Sequence, residues 1–107
     1  MSRLLDGRNK EIAGRMTYEL IFSDEAVKHL KVWRKSGQKK TLKKIVDLFE
    51  ELRLHPTTGT GHVEQLKGDY SGYWSREINK GDRMIYRIED DKVIVVVVSL
   101  KGHYNDK

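Results

Sequence analysis

The side chains available for chemistry in this 107-residue chain are few and isolated. There is no cysteine, which excludes a thiolate nucleophile, a thiolate metal site and any disulfide. The four histidines, His29, His55, His62 and His103, are scattered, with no H-x-x-H or H-E-x-x-H spacing to set two imidazoles around a metal. No glycine-rich nucleotide loop and no Ser-His-Asp order is present. The sequence therefore implies no cofactor and argues against metal catalysis. What remains is acid–base chemistry by individual side chains.

Hairpin geometry narrows the choice. Strand signals run over residues 73–78, 83–88 and 93–99, separated by the turn residues Asn79-Lys-Gly-Asp82 and Asp90-Asp91. With Asp90-Asp91 as a two-residue turn, Glu89 faces Lys92, and counting back puts Arg83 opposite Val98. The chain leaving that end of the sheet carries His103 and Tyr104, which emerge near Arg83, with Gly102 free to redirect the backbone. Alternation puts Arg83, Ile85 and Arg87 on one strand face and Met84, Tyr86 and Ile88 on the other, better suited to a core. The open face is thus expected to be a basic concavity around Arg83 and Arg87. Glu64 lies beyond an irregular loop, and spacing alone does not place it.

The elements that must position these residues read as one domain. Residues 18–22 form a β-rich first strand. Ser23 is a natural N-cap, followed by Asp24 and Glu25 in a first helical turn. Ala26, Leu30 and Trp33 recur at helical spacing until Gly37, and Leu42, Ile45, Phe49 and Leu52 mark a second helix that stops before Pro56. The predicted architecture is α+β: an N-terminal strand, then a two-helix hairpin packed on one face of a small antiparallel sheet, in the order β-α-α-β-β-β. Trp33, Leu42, Ile45 and Phe49 should be buried against Val95 and Val97. Residues 1–16 are polar, lack a sustained apolar period and read as a flexible extension to a single domain over 17–107.

Charge points to a class of partner. Lys and Arg number 21 against 16 Asp and Glu, for a net charge of +5. From Lys28 to Lys44 there are eight basic residues and no acid. This lobe, with Lys39, Lys40, Lys43 and Lys44 at its end, reads either as a solvated helix face or as an RNA-facing surface. The longest apolar run, Val93 to Val98, is far short of the ~20 residues that span a bilayer, so no membrane association is expected. The N-terminus lacks the apolar core of a signal peptide, and a cytoplasmic location follows.

Four segments together carry a resemblance: Glu64-Gln-Leu-Lys67, Ser71-Gly-Tyr-Trp-Ser-Arg76, Asp82-Arg-Met-Ile-Tyr86 and the closing His103-Tyr104. They resemble the YoeB/Txe group of the RelE superfamily of bacterial toxins, over about residues 17–104. The resemblance implies a RelE-like fold and a toxin of a type II toxin–antitoxin system. It also implies a ribosome-dependent endoribonuclease that cleaves mRNA in the A site and inhibits translation. The implied partners are ribosome, mRNA and a cognate antitoxin, commonly of the Phd/YefM type; a second copy of the chain, as a homodimer, is a further candidate. By matching position, Glu64 corresponds to the general base, His103 to the general acid, Arg83 to the phosphate-binding arginine and Tyr104 to the aromatic that orders the substrate. Lys67, Arg76 and Arg87 are the expected RNA-binding residues.

This sequence departs from the family pattern at three places. Glu77 stands where a basic residue is usual, and Asp82 where His is often found just before the active arginine. Asn105-Asp106-Lys107 follow the His-Tyr pair, close to which many members end. Other prominent residues have plainer readings: Trp74 and Tyr86 as mainly structural, Trp33 as core, and Asp90-Asp91 as a turn. Two rival functions belong to other classes: a non-catalytic ParE-like toxin that binds a protein target such as DNA gyrase, and a plain RNA-binding module using the basic lobe.

Overall fold

A computed structural model describes residues 17–102. The expectations for residues 1–16, for His103 and Tyr104, and for Asn105–Lys107 lie outside them. The described chain runs β1 (Glu19–Phe22), α1 (Asp24–Lys35), α2 (Lys39–Leu54), β2 (Glu64–Gln65), β3 (Tyr73–Asn79), β4 (Asp82–Glu89) and β5 (Ile94–Ser99). Short 3₁₀ turns fill Gly68–Tyr70 and Asp90–Lys92.

Local chemistry sets the helix ends. Ser23 has an extended backbone and its hydroxyl accepts from the Ala26 amide at 3.0 Å, which caps α1. At the other end the Ser36 hydroxyl donates to the Trp33 carbonyl at 2.7 Å, and Gly37 adopts φ +77°, turning the chain into α2. Both helices bury one stripe. Ala26 and Trp33 of α1 and Ile45, Leu48 and Leu52 of α2 join Ile78, Met84, Tyr86, Val95 and Val97 in one core on a single sheet face. Leu42 and Phe49, expected in its centre, are instead half-buried at its margin, where Phe49 meets Phe22 edge-on at 5.1 Å. Leu48 takes the central place. β5 is closed off on both faces in its middle, through Val95, Val96 and Val97.

The sheet has the order β1-β5-β4-β3-β2. It is mixed, not wholly antiparallel as expected: β1 pairs with β5 in parallel, and the other neighbours are antiparallel. Glu19 to Phe22 pair with Ile94 to Val97 in the same direction, and side-chain alternation, which reports faces and not strand direction, does not encode that.

The β4–β5 connection also differs from the two-residue turn. Asp90–Lys92 form a 3₁₀ turn and Val93 sits in the left-handed region, so Glu89 pairs with Ile94 instead of Lys92. A shift of two preserves which side chains share a face. An irregularity between Ile85 and Tyr86 then moves the register one further, so that Ile85 pairs with Ser99. Arg83 therefore lies beyond Val98, level with the residues that follow the strand: its amide donates to the Gly102 carbonyl at 3.0 Å.

Candidate active site

The open face of the sheet, away from the helices, carries the proposed chemistry. Strand alternation puts Ser75 of β3 and Arg83 of β4 on this face, and Glu64 joins them because β2 pairs it directly with Ser75. The position that spacing could not supply is thus fixed by a two-residue strand. Arg83 Nε and Nη2 donate to the Ser75 hydroxyl oxygen at 3.0 and 2.8 Å, and Nη2 reaches the His62 carbonyl at 3.4 Å. Its Nη2 also lies 3.6 Å from Glu64 Oε1. The Arg83 side chain is 13% exposed and that of Glu64 42%, so the pair is in contact with solvent mainly through the carboxylate. Ser75 is fully buried and had no signal in the sequence beyond its place in the strand alternation.

Gly102, at φ +78°, completes the surroundings of Arg83 through the amide–carbonyl bond already noted. Residues 100–102 are thus drawn to the Arg83 end of the sheet, as the hairpin count anticipated through a different register.

The remaining expected contacts divide. Arg87 is on the open face, but its Nε and Nη2 donate to Glu89 Oε2 at 3.2 and 3.0 Å. The hydrogen bond from Arg87, with Lys92 also nearby, holds the Glu89 carboxyl below its usual range. The open face is therefore mixed in charge, not simply basic: each of its two arginines has a glutamate beside it. Lys67 is exposed, just ahead of the 3₁₀ turn that follows β2.

Arg76, expected to bind RNA, is instead on the helix-facing side and fully buried. Its Nη1 donates to Glu51 Oε1 at 2.8 Å, its Nη2 to the carbonyls of His55 and Thr58 at 2.6 and 2.7 Å, and its Nε to the Tyr86 hydroxyl at 3.2 Å. Tyr86 in turn donates to the Pro56 carbonyl at 2.7 Å, and burial pushes its phenol pKa up. This guanidinium ties the loop after α2 to the sheet and has no surface to offer a nucleic acid. Tyr86 is structural, as read from the sequence.

An open groove of about 420 Å³ lies between the sheet residues Tyr73, Ile85 and Ser99, the α1 residues Glu25 and His29, and Asp69. The basic lobe is elsewhere. Lys39, Lys40 and Lys43 are exposed on α2, Lys44 is half-buried, and Lys43 pairs with Asp47 at 3.1 Å. Because α2 covers the helix-side face, these lysines and Arg83 are on opposite sides of the sheet. Among the described residues no group of three or more His, Asp or Glu is placed to hold a metal ion, and no helix is long and apolar enough to cross a membrane.

Comparison with known proteins agrees with this arrangement of elements. Residues 22–104 match the family described as the YoeB-like toxin of bacterial type II toxin–antitoxin systems. The chain is 42% identical over 72 residues to Toxin YoeB of Streptomyces coelicolor, a span of 67% of this chain and 82% of that protein. It is 32% identical over 88 residues to the mRNA interferase toxin RelE of Escherichia coli, covering 79% of this chain and 82% of that one. Among solved structures, a YoeB/ParE toxin from Agrobacterium tumefaciens aligns with a TM-score of 0.75 at 30% identity, over 80% of this chain and 99% of that chain. The YoeB of a heterotetrameric YoeB–YefM toxin–antitoxin complex from Staphylococcus aureus aligns at 0.69 and 33% identity, over 81% and 98%. A sequence match over most of the domain, joined to the same fold at this level of identity, means that the chain belongs to the YoeB-like toxin family of bacterial type II toxin–antitoxin systems.

Proposed function

We propose that this toxin is a ribosome-dependent endoribonuclease of the cytoplasm that cleaves mRNA in the A site by metal-independent acid–base chemistry. The observation that carries the reading is the convergence on Arg83: Glu64 lies 3.6 Å from its guanidinium, and the Gly102 carbonyl, one residue before His103, accepts from its amide. Glu64 takes the proton of a ribose 2′-hydroxyl, and the oxygen attacks the adjacent phosphorus. Arg83 donates to the phosphoryl oxygens as charge builds on them, and His103 protonates the departing 5′-oxygen. The products are a 2′,3′-cyclic phosphate and a free 5′-hydroxyl. Tyr104 orders the substrate, with Lys67 and Arg87 as further cations near the RNA. The name of the similar RelE protein, an mRNA interferase, supports the reaction class. The heterotetrameric YoeB–YefM assembly supports a cognate antitoxin of the Phd/YefM type as the inhibitor of this chain.

The deciding experiment is cleavage of a defined message on programmed ribosomes by the purified chain. The wild type should produce fragments ending in 2′,3′-cyclic phosphate. Glu64→Gln and His103→Gln should each slow single-turnover cleavage by ~10²-fold or more while leaving ribosome binding nearly intact. Uncut message together with inhibition of gyrase would favour the ParE-like alternative. Uncut message with RNA binding alone would leave only a binding module.

A further inference from the structure

β5 ends at Ser99, and the backbone of Leu100 and Gly102 beyond it is held by further hydrogen bonds. The Leu100 amide donates to His29 Nδ1 at 3.0 Å, and the Leu100 carbonyl accepts from Trp33 Nε1 at 3.0 Å. The Gly102 amide donates to Asp82 Oδ1 at 2.9 Å, and its carbonyl accepts from the Arg83 amide at 3.0 Å. Between them the Lys101 ammonium lies 4.7 Å from the centre of the Trp33 ring. All four main-chain polar groups of Leu100 and Gly102 are therefore bound, three of them by side chains from α1 and the start of β4.

The His29 ring is oriented by two contacts. Nδ1 accepts from Leu100, so in this arrangement it carries no proton, and Nε2 donates to Glu25 Oε2 at 3.2 Å. The Asp82 carboxylate is the acceptor for the Gly102 amide. Gly102 itself has open space where a Cβ would stand, and its φ of +78° favours glycine there.

We propose that Asp82 and His29 are positioning residues for the general acid, acting by clamping Leu100–Gly102. The physical link is the planar peptide unit. The Gly102 carbonyl belongs to the same rigid plane as the nitrogen and Cα of residue 103. The Arg83 amide holds the Gly102 carbonyl and Asp82 holds the Gly102 amide, so the chain is fixed up to the peptide bond that leads into residue 103. Lost hydrogen bonds at this strap let the donor wander from the leaving oxygen, and misplacement of a reacting group lowers the rate without weakening binding. The consequence for rate rests on the ribonuclease reading. The clamp itself does not.

Two measurements test this. The first is single-turnover cleavage on programmed ribosomes by Asp82→Ala, Asp82→Asn, His29→Ala and His29→Asn, each in wild-type and His103→Gln backgrounds. Asparagine keeps an acceptor oxygen at both positions. Each alanine variant should lower kcat by about 10-fold with KM little changed, and each asparagine variant should recover to within about 3-fold of wild type. In the His103→Gln background the alanine substitutions should cost less than about 2-fold more, because they act through the group already removed. The second is amide ¹⁵N relaxation of the isolated protein. The Gly102 order parameter should fall from the rigid range near ~0.85 toward ~0.6 in Asp82→Ala, and that of Leu100 likewise in His29→Ala. Undiminished kcat in both alanine variants overturns the proposal. So does a 10-fold loss that persists in His103→Gln, or a Gly102 amide equally ordered without Asp82. If the wild type does not cut at all, the ribonuclease reading has failed, and the relaxation data alone then decide whether the clamp exists.

Discussion

Arg76 and Arg83 are one step apart in register on adjacent strands, since Glu77 pairs with Arg83 and Arg76 with Met84. Each has a glutamate and a hydroxyl close by, yet they face opposite sides of the sheet. Arg76 is fully buried, and its Nε, Nη1 and Nη2 all donate to fixed acceptors, among them backbone carbonyls of the loop after α2. Gly59 of that loop passes so close that a Cβ there would meet the Glu51 carboxylate and come within 3.0 Å of Arg76 Nη1. Arg83 is held from behind by buried Ser75, reaches Glu64 at 3.6 Å and stays in contact with solvent. A guanidinium saturated by the protein stabilises a fold. One that is aimed but not saturated can still bind something else.

The largest effect should come from breaking the saturated arginine. Arg76→Ala strands the Glu51 carboxylate and several carbonyls, and should cost about 3–5 kcal/mol of stability, the usual loss when one partner of a buried ion pair is removed. At ~4–8 °C per kcal/mol for a domain of this size, the melting temperature should drop by more than about 10 °C. Arg76→Lys should rescue little, because an ammonium cannot reproduce the planar fork. A wild-type melting curve for Arg76→Ala would dissolve the contrast.

Next in size is Arg83→Ala, expected to lower ribosome-dependent cleavage by ~10²–10³-fold, comparable with the loss of one oxyanion-stabilising donor. Its melting temperature should move by only a few degrees. If thermal scans show Arg83→Ala unfolding as readily as Arg76→Ala, the second arginine is structural as well.

The carboxylates sharpen the same contrast through pH. Burial opposes ionisation of Glu51, but the Thr60 hydroxyl and amide, together with Arg76, outweigh it and hold the carboxyl below its usual range. A lowered folded-state pKa means that the ionised group's contribution is fully present above the unfolded value of ~4.3 and is lost as pH falls through the folded value. Glu51→Gln should therefore melt below wild type at neutral pH, and the gap should narrow as pH is taken progressively below about 4.3. A gap independent of pH would mean that shape, not charge, is what Glu51 supplies.

The smallest effect on the chemical step belongs to the lysines of α2. Reversing Lys39, Lys40, Lys43 and Lys44 to Glu should weaken ribosome binding and flatten its salt dependence, with the rate at saturating toxin unchanged. Binding and salt slope equal to wild type would make the lobe a solvated helix face.

Periodic burial was legible in the sequence because it is written in side chains a few residues apart. The apolar stripes of both helices, the Ser23 cap, the alternation along β4 and the all-valine centre of β5 could be read directly, and together they fixed the α+β class and the open face. Four short segments carried the family and with it Glu64 as a candidate base. Arg76 shows the limit. Its type and motif suggested a ligand contact, whereas its fate depends on Glu51, His55 and Thr58, which lie 18 or more positions earlier in the chain. The placement of Glu64 and the register at Arg83 likewise depend on a two-residue strand, a 3₁₀ turn and one irregularity in pairing. Such features contribute hydrogen bonds and not a repeating pattern. The sequence by itself determined which residues could act and which faces they occupy, because strand and helix periods are local. Only the tertiary structure decided which arginine is spent on the fold and which stays in contact with solvent, because saturating a guanidinium takes acceptors that long-range folding brings together.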